Sequence, residues 1–409
     1  MLTRRIFLRE SAMAMAGAGS VPFWLGRAAA TTQGKRQILV VIFQRGAADG
    51  LNMVVPFAEK RYYELRPTIA IQAPGSSNGP ASAIDLDGRF GLNPALQPLK
   101  ALWDRQMLAI VEATGSPDPT RSHFDAQDYM ESGTPGLKTD GWLNRALPPA
   151  GAEVSPLRAI AMSATLPRTL RGDHSAIAVR DLQQFRAQDT ATILENMYAN
   201  SSDRQLGSAG KDAFAAMRMI QSLNRTSYTP SGGAQYVQGG ELGRSLQQIA
   251  RLIKADAGVE AAFAEIGGWD HHQNEPGQLN NVARQFGSAL AAFCTDMGDR
   301  MEDIVLATMS EFGRTAQENG NNGTDHGHGD VMFVVGGPVR GGKVYGNWPG
   351  LQKEQLYEGR DLAVTTDFRA VLSELVTGHL GTTDIAQVFP GFKHAAPVGL
   401  LKSRTPSEA

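Results

Sequence analysis

Gln37-Ile38-Leu39-Val40-Val41-Ile42-Phe43 is a continuous, mainly apolar run rich in β-branched side chains, and it leads into a glycine-punctuated polar loop, Gln44-Arg45-Gly46-Ala47-Ala48-Asp49-Gly50. A strand of that kind has no face to present to water. It belongs inside a sheet covered on both sides, the situation of parallel sheets. Similar runs at 107–113, 157–163, 259–266, 304–309 and 331–335 read as further strands. Helical patterns lie between them at 96–103 and 125–130, with a long amphipathic one at 279–301. Strands alternating with helices predict an α/β fold, a doubly wound and mainly parallel sheet between helical layers. From 181 to 260 the character changes: Ala213, Phe214, Met217, Ile220 and Leu223 recur at helical spacing, and a Ser/Thr/Gly-rich stretch at 226–240 interrupts them. That region is expected to be a helical insertion or cap with a mobile loop inside it.

Function is written in where histidine falls. Five of the eight histidines lie in three short clusters: Arg121-Ser122-His123, Trp269-Asp270-His271-His272 and Asp325-His326-Gly327-His328. Each cluster comes shortly after an apolar run, as do Asp49 and Glu311. In an open α/β sheet the loops at one strand edge gather where ligands bind. Carboxylates and imidazoles together suit zinc, manganese or a related divalent ion. For any one of these residues, capping or a loop hydrogen bond would serve as well; it is the set that points to a metal.

Ser122 is the candidate nucleophile, and it precedes a helix whose N-cap it would also form. A helix N-terminus favours an approaching anion, and a metal makes a serine oxygen a competent nucleophile. Arg121 could pair with a phosphate or sulfate oxygen. Gly337 through Lys343 looks like a phosphate-binding loop but fails, because Val344 stands where Ser or Thr must hold magnesium. A formylglycine signature is missing too: Ser122 has no proline two residues on, and Cys294 has no such context.

Other features bound the class. Thr3-Arg4-Arg5-Ile6-Phe7-Leu8 is a twin-arginine motif, followed by a weakly hydrophobic stretch and by Ala28-Ala29-Ala30, which suits a signal peptidase. The stretch is short for a bilayer span, so residues 1–30 are expected to be an export signal. The mature chain, 31–409, would be periplasmic or extracellular, passed folded to the twin-arginine translocase, with no stable membrane span. The formal net charge is −2, and no basic run argues for nucleic acid as a partner. A single cysteine, Cys294, excludes internal disulfides, thiolate zinc fingers and iron–sulfur clusters.

Phe43 through Asn52, Arg121 through Gln127, Gly268-Trp269-Asp270, Ser310 through Thr315, Thr324 through Gly327 and Thr366-Asp367-Phe368-Arg369 together resemble the signatures of the bacterial domain of unknown function 1501. The likeness spans essentially the whole mature chain. That family is similar to the alkaline phosphatase and sulfatase superfamily, which implies a three-layer α/β/α sandwich. It also implies one or two divalent ions (zinc, manganese or calcium) beside a nucleophile. By the resemblance, Asp49 matches the first-strand ligand and Ser122 the nucleophile. Asp270 with His272, Glu311, and His326 or His328 match further ligands. Two departures stand out. Asp270 and His272 are two apart where the superfamily pattern usually has four, and Phe312 follows Glu311 where a histidine is common. One metal site would then be incomplete, or completed by His123 or Asp325.

The function this implies is metal-dependent hydrolysis of a small anionic phosphate or sulfate ester, with Ser122, Arg121 and His123 catalytic. The alternative is an exported binding or assembly protein on the same fold. An exported redox enzyme is a weaker fit, because no flavin or nicotinamide fingerprint and no cysteine cluster is present.

Overall fold

Residues 37–76, 82–136, 139–149, 154–184, 204–393 and 396–403 are described by a computed structural model. The export signal expected at 1–30 lies outside them. The apolar runs become the strands of one nine-stranded sheet: β1 (Ile38–Gln44), β2 (Leu108–Gly115), β3 (Ala159–Ala161), β4 (Ile177–Ala178), β5 (Ala261–Ile266), β6 (Ile304–Ser310), β7 (Asp330–Gly336), β8 (Lys343–Tyr345) and β9 (Thr366–Asp367). The order across the sheet is β8-β2-β7-β6-β1-β5-β3-β4, with β9 beside β2. β1 is central, in parallel register with β5 on one side and β6 on the other, and every residue of it is buried.

One strand runs against the rest. β7 is antiparallel to both β6 and β2, so the sheet is mixed and mostly parallel. The segment between β6 and β7, residues 311–329, contains no helix, and the chain turns back instead of crossing over. The reversal matters for the site: the start of β7 lies at the edge where its parallel neighbours end. The 325–328 cluster is thereby brought to the same edge as the loops after β1, β5 and β6.

Alternate residues of each strand feed two cores. Val40, Ile42, Ala262, Leu306 and Phe333 face one side, with Leu246 of α3 (Gly240–Lys254) and Phe286 and Phe293 of α4 (Glu275–Met297). Leu39, Val41, Phe263, Val305 and Val334 face the other, with Met130 of α1 (His123–Ser132) and Phe368 and Leu372 of α5 (Phe368–Gly378). The result is an α/β/α sandwich. A small antiparallel sheet of Val54–Val55, Gly91–Leu92 and Ile84–Asp85 stands beside it. Among the described residues no helix is long and apolar enough to cross a membrane.

Within the segment 181–260, residues 185–203 lie outside the described set. Helix α2 (Arg204–Leu223) and α3 follow, and α3 lies on the first core. The loop between them is anchored by Asp296 of α4. This buried carboxylate accepts from Tyr236 Oη at 2.8 Å and Ser231 N at 2.7 Å, and also pairs with Tyr228 and Lys254. Burial opposes its charge, but Lys254, the two tyrosine hydroxyls and the Ser231 amide outweigh it and hold the carboxyl below the usual range. A depressed carboxyl adds stability above its unfolded pKa of about 3.9 and loses it as pH falls through the folded value. Asp296→Asn should therefore be less stable than the native chain at neutral pH, with the gap closing below about pH 4. Urea melts across pH 3 to 7 would show a constant gap if this reading were wrong.

Candidate metal centre

The loop after β2 brings His123 in as the first residue of α1. Ser122 is the N-cap, its hydroxyl accepting weakly from Asp125 N at 3.5 Å. The loop after β5 supplies Asp270 and His272, and the segment before β7 supplies His326. His123, Asp270 and His326 each offer a ligand atom within 4.8 Å of the others, and His272 adjoins them. His326 Nε2 lies 3.0 Å from His123 Nε2 and 3.0 Å from His272 Nε2. The Asp270 carboxylate is 3.1 Å from His272 Nε2, 3.6 Å from His326 Nε2 and 3.9 Å from His123 Nε2.

The other ring nitrogens decide the tautomers. His123 Nδ1 faces Glu311 Oε1 at 2.8 Å, His272 Nδ1 faces Asp325 Oδ1 at 3.0 Å, and His326 Nδ1 faces the Arg121 carbonyl at 2.9 Å. All three partners accept, so each Nδ1 carries a proton and each Nε2 is the ring atom turned toward the other groups. Burial, together with nearby His123, Arg314 and His272, pushes His326 below the usual histidine range and keeps that ring neutral. Three Nε2 atoms and a carboxylate thus face one another. A divalent cation would be held here by Nε2 and carboxylate atoms: zinc, with bonds of about 2.0–2.1 Å to nitrogen, spaces neighbouring ligands at nearly these separations. The donor set fits a metal. Acceptors behind metal-bound imidazoles are the usual outer shell of such sites.

The rest of the pocket fixes these groups. Glu311 is buried; burial opposes its charge, yet hydrogen bonds from His123, from Gln127 Nε2 at 2.9 Å and from Gly46 N at 2.8 Å hold it below the usual range. Arg45 grips Gln127 Oε1 at 2.9 Å and Glu131 at 2.9 Å, which aims the amide nitrogen at Glu311. Phe312 is a wall, its ring 5.0 Å from the His123 ring and 5.1 Å from the His326 ring. Arg314 is fully buried; it bonds Asp270 Oδ1 at 2.6 Å and also donates to the carbonyls of Gly46, Ala47, Trp269 and Thr324. Burial opposes the Asp270 charge, and Arg314 outweighs it and lowers the pKa. Gly46 is at φ +116°, and a Cβ there would meet Asp270 N at 2.8 Å, so only glycine lets these loops approach.

Other residues singled out from sequence stand around this group. Asp49 is buried behind it, paired with Arg66 at 2.6 Å, and its side chain caps the short helix Gly50–Met53. Arg66 also bonds the carbonyls of Thr315 and Ala316. Asp325 meets His272 and Asn319 at 3.2 Å. His328 is buried with its ring stacked on Tyr357 at 4.3 Å. Arg121 directs its Nε and Nη2 donors to Asp361 and Glu358, while its carbonyl orients His326.

The sequence profile of the family described as Protein of unknown function (DUF1501) matches residues 107–389, more than half of the chain. This chain belongs to that family. Among curated proteins no sequence matches it. Solved structures similar to it include a protein in the alkaline phosphatase superfamily from Vibrio parahaemolyticus (14% identity, TM-score 0.26, 75% of this chain and 61% of that one). The chain thus spans less than two thirds of that protein's length. Others are the PsFucS1 sulfatase from Pseudoalteromonas sp. (10%, 0.38, 92% and 75%) and the alkaline phosphatase of the Antarctic bacterium TAB5 (10%, 0.31, 74% and 92%).

Sequence reasoning missed Arg314, Gln127, Arg45 and Arg66. The only local signal was for Arg314, an arginine close behind a strand-end acid in an otherwise apolar and glycine context. Glu311→Gln should remove the charge behind His123 and lower metal affinity about 10–100-fold while the fold survives. Competition against a chromogenic chelator measures this; unchanged affinity would place Glu311 outside the outer shell.

Proposed function

We propose that this DUF1501 chain is an exported, metal-dependent hydrolase of phosphate or sulfate esters that uses Ser122 as nucleophile. The observation that carries the reading is the convergence of His123, Asp270 and His326, with His272 adjoining, on one point with every Nδ1 committed elsewhere. Imidazole-rich donors favour zinc or manganese over calcium, which prefers an all-oxygen shell. Bound there, a divalent ion supplies Lewis acidity at an ester oxygen.

The chain's own residues do the rest. Ser122 Oγ sits at the N-terminus of α1, where the first-turn amides favour an anion. Its attack forms a bond to phosphorus or sulfur as the bond to the alcohol breaks, and the alcohol leaves with the serine proton. Water then cleaves the seryl ester, restoring Ser122 and releasing the anion. His123, held by Glu311, keeps its Nε2 on the reacting side. Arg314 keeps Asp270 ionised and oriented, and the half-exposed Asp270 leaves the centre open to a substrate. Export folded through the twin-arginine translocase, to the periplasm or beyond, belongs to the same proposal.

A second reading has one observation in its favour. Phe124, next to His123, is 85% exposed, an apolar handle suited to a protein partner. A binding or assembly protein would use it with the metal as a structural element. Ser122→Ala separates the two readings: hydrolysis of aryl phosphates and sulfates should fall roughly 10³-fold or more with metal content unchanged. Full turnover in that variant would remove Ser122 from the mechanism. No turnover in the native metal-loaded protein would favour the binding reading.

A further inference from the structure

Each imidazole of the metal centre has an acceptor behind it, but the acceptors differ in kind. His123 and His272 lean on carboxylates, Glu311 and Asp325. His326 leans on a main-chain carbonyl, that of Arg121. Loops are the mobile part of a fold, and a loop carbonyl orients a ligand only as well as its own residue is held. The side chain of Arg121 supplies that hold. Its Nη2 donates to Asp361 Oδ2 at 2.7 Å and its Nε to the same oxygen at 3.3 Å.

The same carboxylate takes a second guanidinium. Arg360 Nε donates to Asp361 Oδ1 at 2.8 Å and Nη2 to Oδ2 at 3.0 Å. Arg360 Nη2 also donates to the main-chain carbonyl of His326, at 2.6 Å. The ring and the backbone of His326 are thus held by two arginines that meet on one acid. Asp361 is 0% exposed, and its own place is fixed from behind. Its main chain bridges Thr315, whose carbonyl the buried Arg66 holds, while the adjacent Arg314 bridges His326. Glu358 offers a contrast on the same arginine: it accepts from Arg121 Nη2 at 2.7 Å, but its side chain is 55% exposed. An exposed ion pair of that kind contributes little, whereas charge-assisted bonds to a buried carboxylate are strong and directional.

We propose that Asp361 is a positioning residue for the metal centre: through Arg121 and Arg360 it fixes His326, so that a carboxylate outside the centre sets its metal affinity and ligand geometry. It does at one remove for His326 what Glu311 and Asp325 do directly for His123 and His272. The inference rests on the metal centre of the proposed function and not on its ester chemistry. Arg121 immediately precedes Ser122, so the same anchor also holds the start of α1.

Cobalt(II) tests this, because its visible bands report ligand geometry and its affinity can be read by competition with a chromogenic chelator. Asp361→Asn should weaken cobalt binding roughly tenfold or more, the scale for residues that orient metal ligands, and should alter the visible bands. Arg121→Ala keeps the carbonyl that faces His326 and removes only its anchor, so it should do the same. Glu358→Gln should leave both readouts at native values. A merely structural carboxylate would lower the thermal midpoint of the metal-free protein and leave cobalt affinity and spectrum unchanged. That result in Asp361→Asn would overturn the proposal, as would an equal loss in Glu358→Gln. Should Asp361→Asn fail to fold, Arg121→Ala and Arg360→Ala replace it, and native affinity in both would overturn the assignment. Weakened cobalt binding in these variants supports the proposal whether or not the native protein hydrolyses esters. A native protein that takes no cobalt would overturn this proposal and the metal centre together.

Discussion

One buried guanidinium ties together most of the loops that make the site. Arg314 reaches the loop after β1 through Gly46 and Ala47, the loop after β5 through Trp269 and Asp270, and the segment before β7 through Thr324. An arginine out of water has to spend its donors on acceptors, and here nearly all of them are main-chain carbonyls at strand ends. Losing that side chain would orphan several buried carbonyls at once and release Asp270. The loop with His123 is the exception, and it is tied in separately through Glu311, which shares its carboxylate among His123, Gln127 and Gly46.

The charges behind the centre follow a consistent rule: each is either paired or discharged. Asp49 is held ionised by Arg66, against the penalty of burial. Next to it Glu275, which accepts from Asn52 Nδ2 at 2.7 Å and Thr324 Oγ1 at 2.8 Å, is pushed well above the carboxylate range by burial and by Asp49. Two acids and one arginine in a dry space can carry only one net negative carboxylate comfortably. Behind the exposed imidazoles and Asp270 lies a rigid, nearly neutral support, which leaves the open side as the place where added charge is accommodated.

The strands were legible because burial on both faces leaves a mark that needs no partner to read. Gln37–Phe43 and its counterparts fell within a residue or two of the observed elements. The histidine clusters were legible for the same reason: unusual residues close together in sequence. The direction of β7 was not, since an apolar run reads alike both ways and its orientation is decided by the helix-free segment before it. Nor were the buried Arg66 and Arg314 and the half-buried Arg45, whose partners lie up to 268 residues away along the chain. Phe312, a departure already visible in the sequence, has a role that only the structure gives. Where the superfamily pattern commonly has a histidine behind the acid, Phe312 is an aromatic plate against two imidazoles supplied from elsewhere.

His123 and His326 are separated by 203 residues, and Asp270 comes from a third segment between them. An unfolded chain therefore has almost no chance of presenting these donors to one ion, because the entropy of closing such loops is paid only when the sheet is complete. An ion that binds the native centre and not the coil shifts the folding equilibrium by the whole of its binding free energy. Metal supply would then act on the lifetime of the folded molecule as well as on its chemistry, and a starved cell would hold a pool of chains more open to proteolysis.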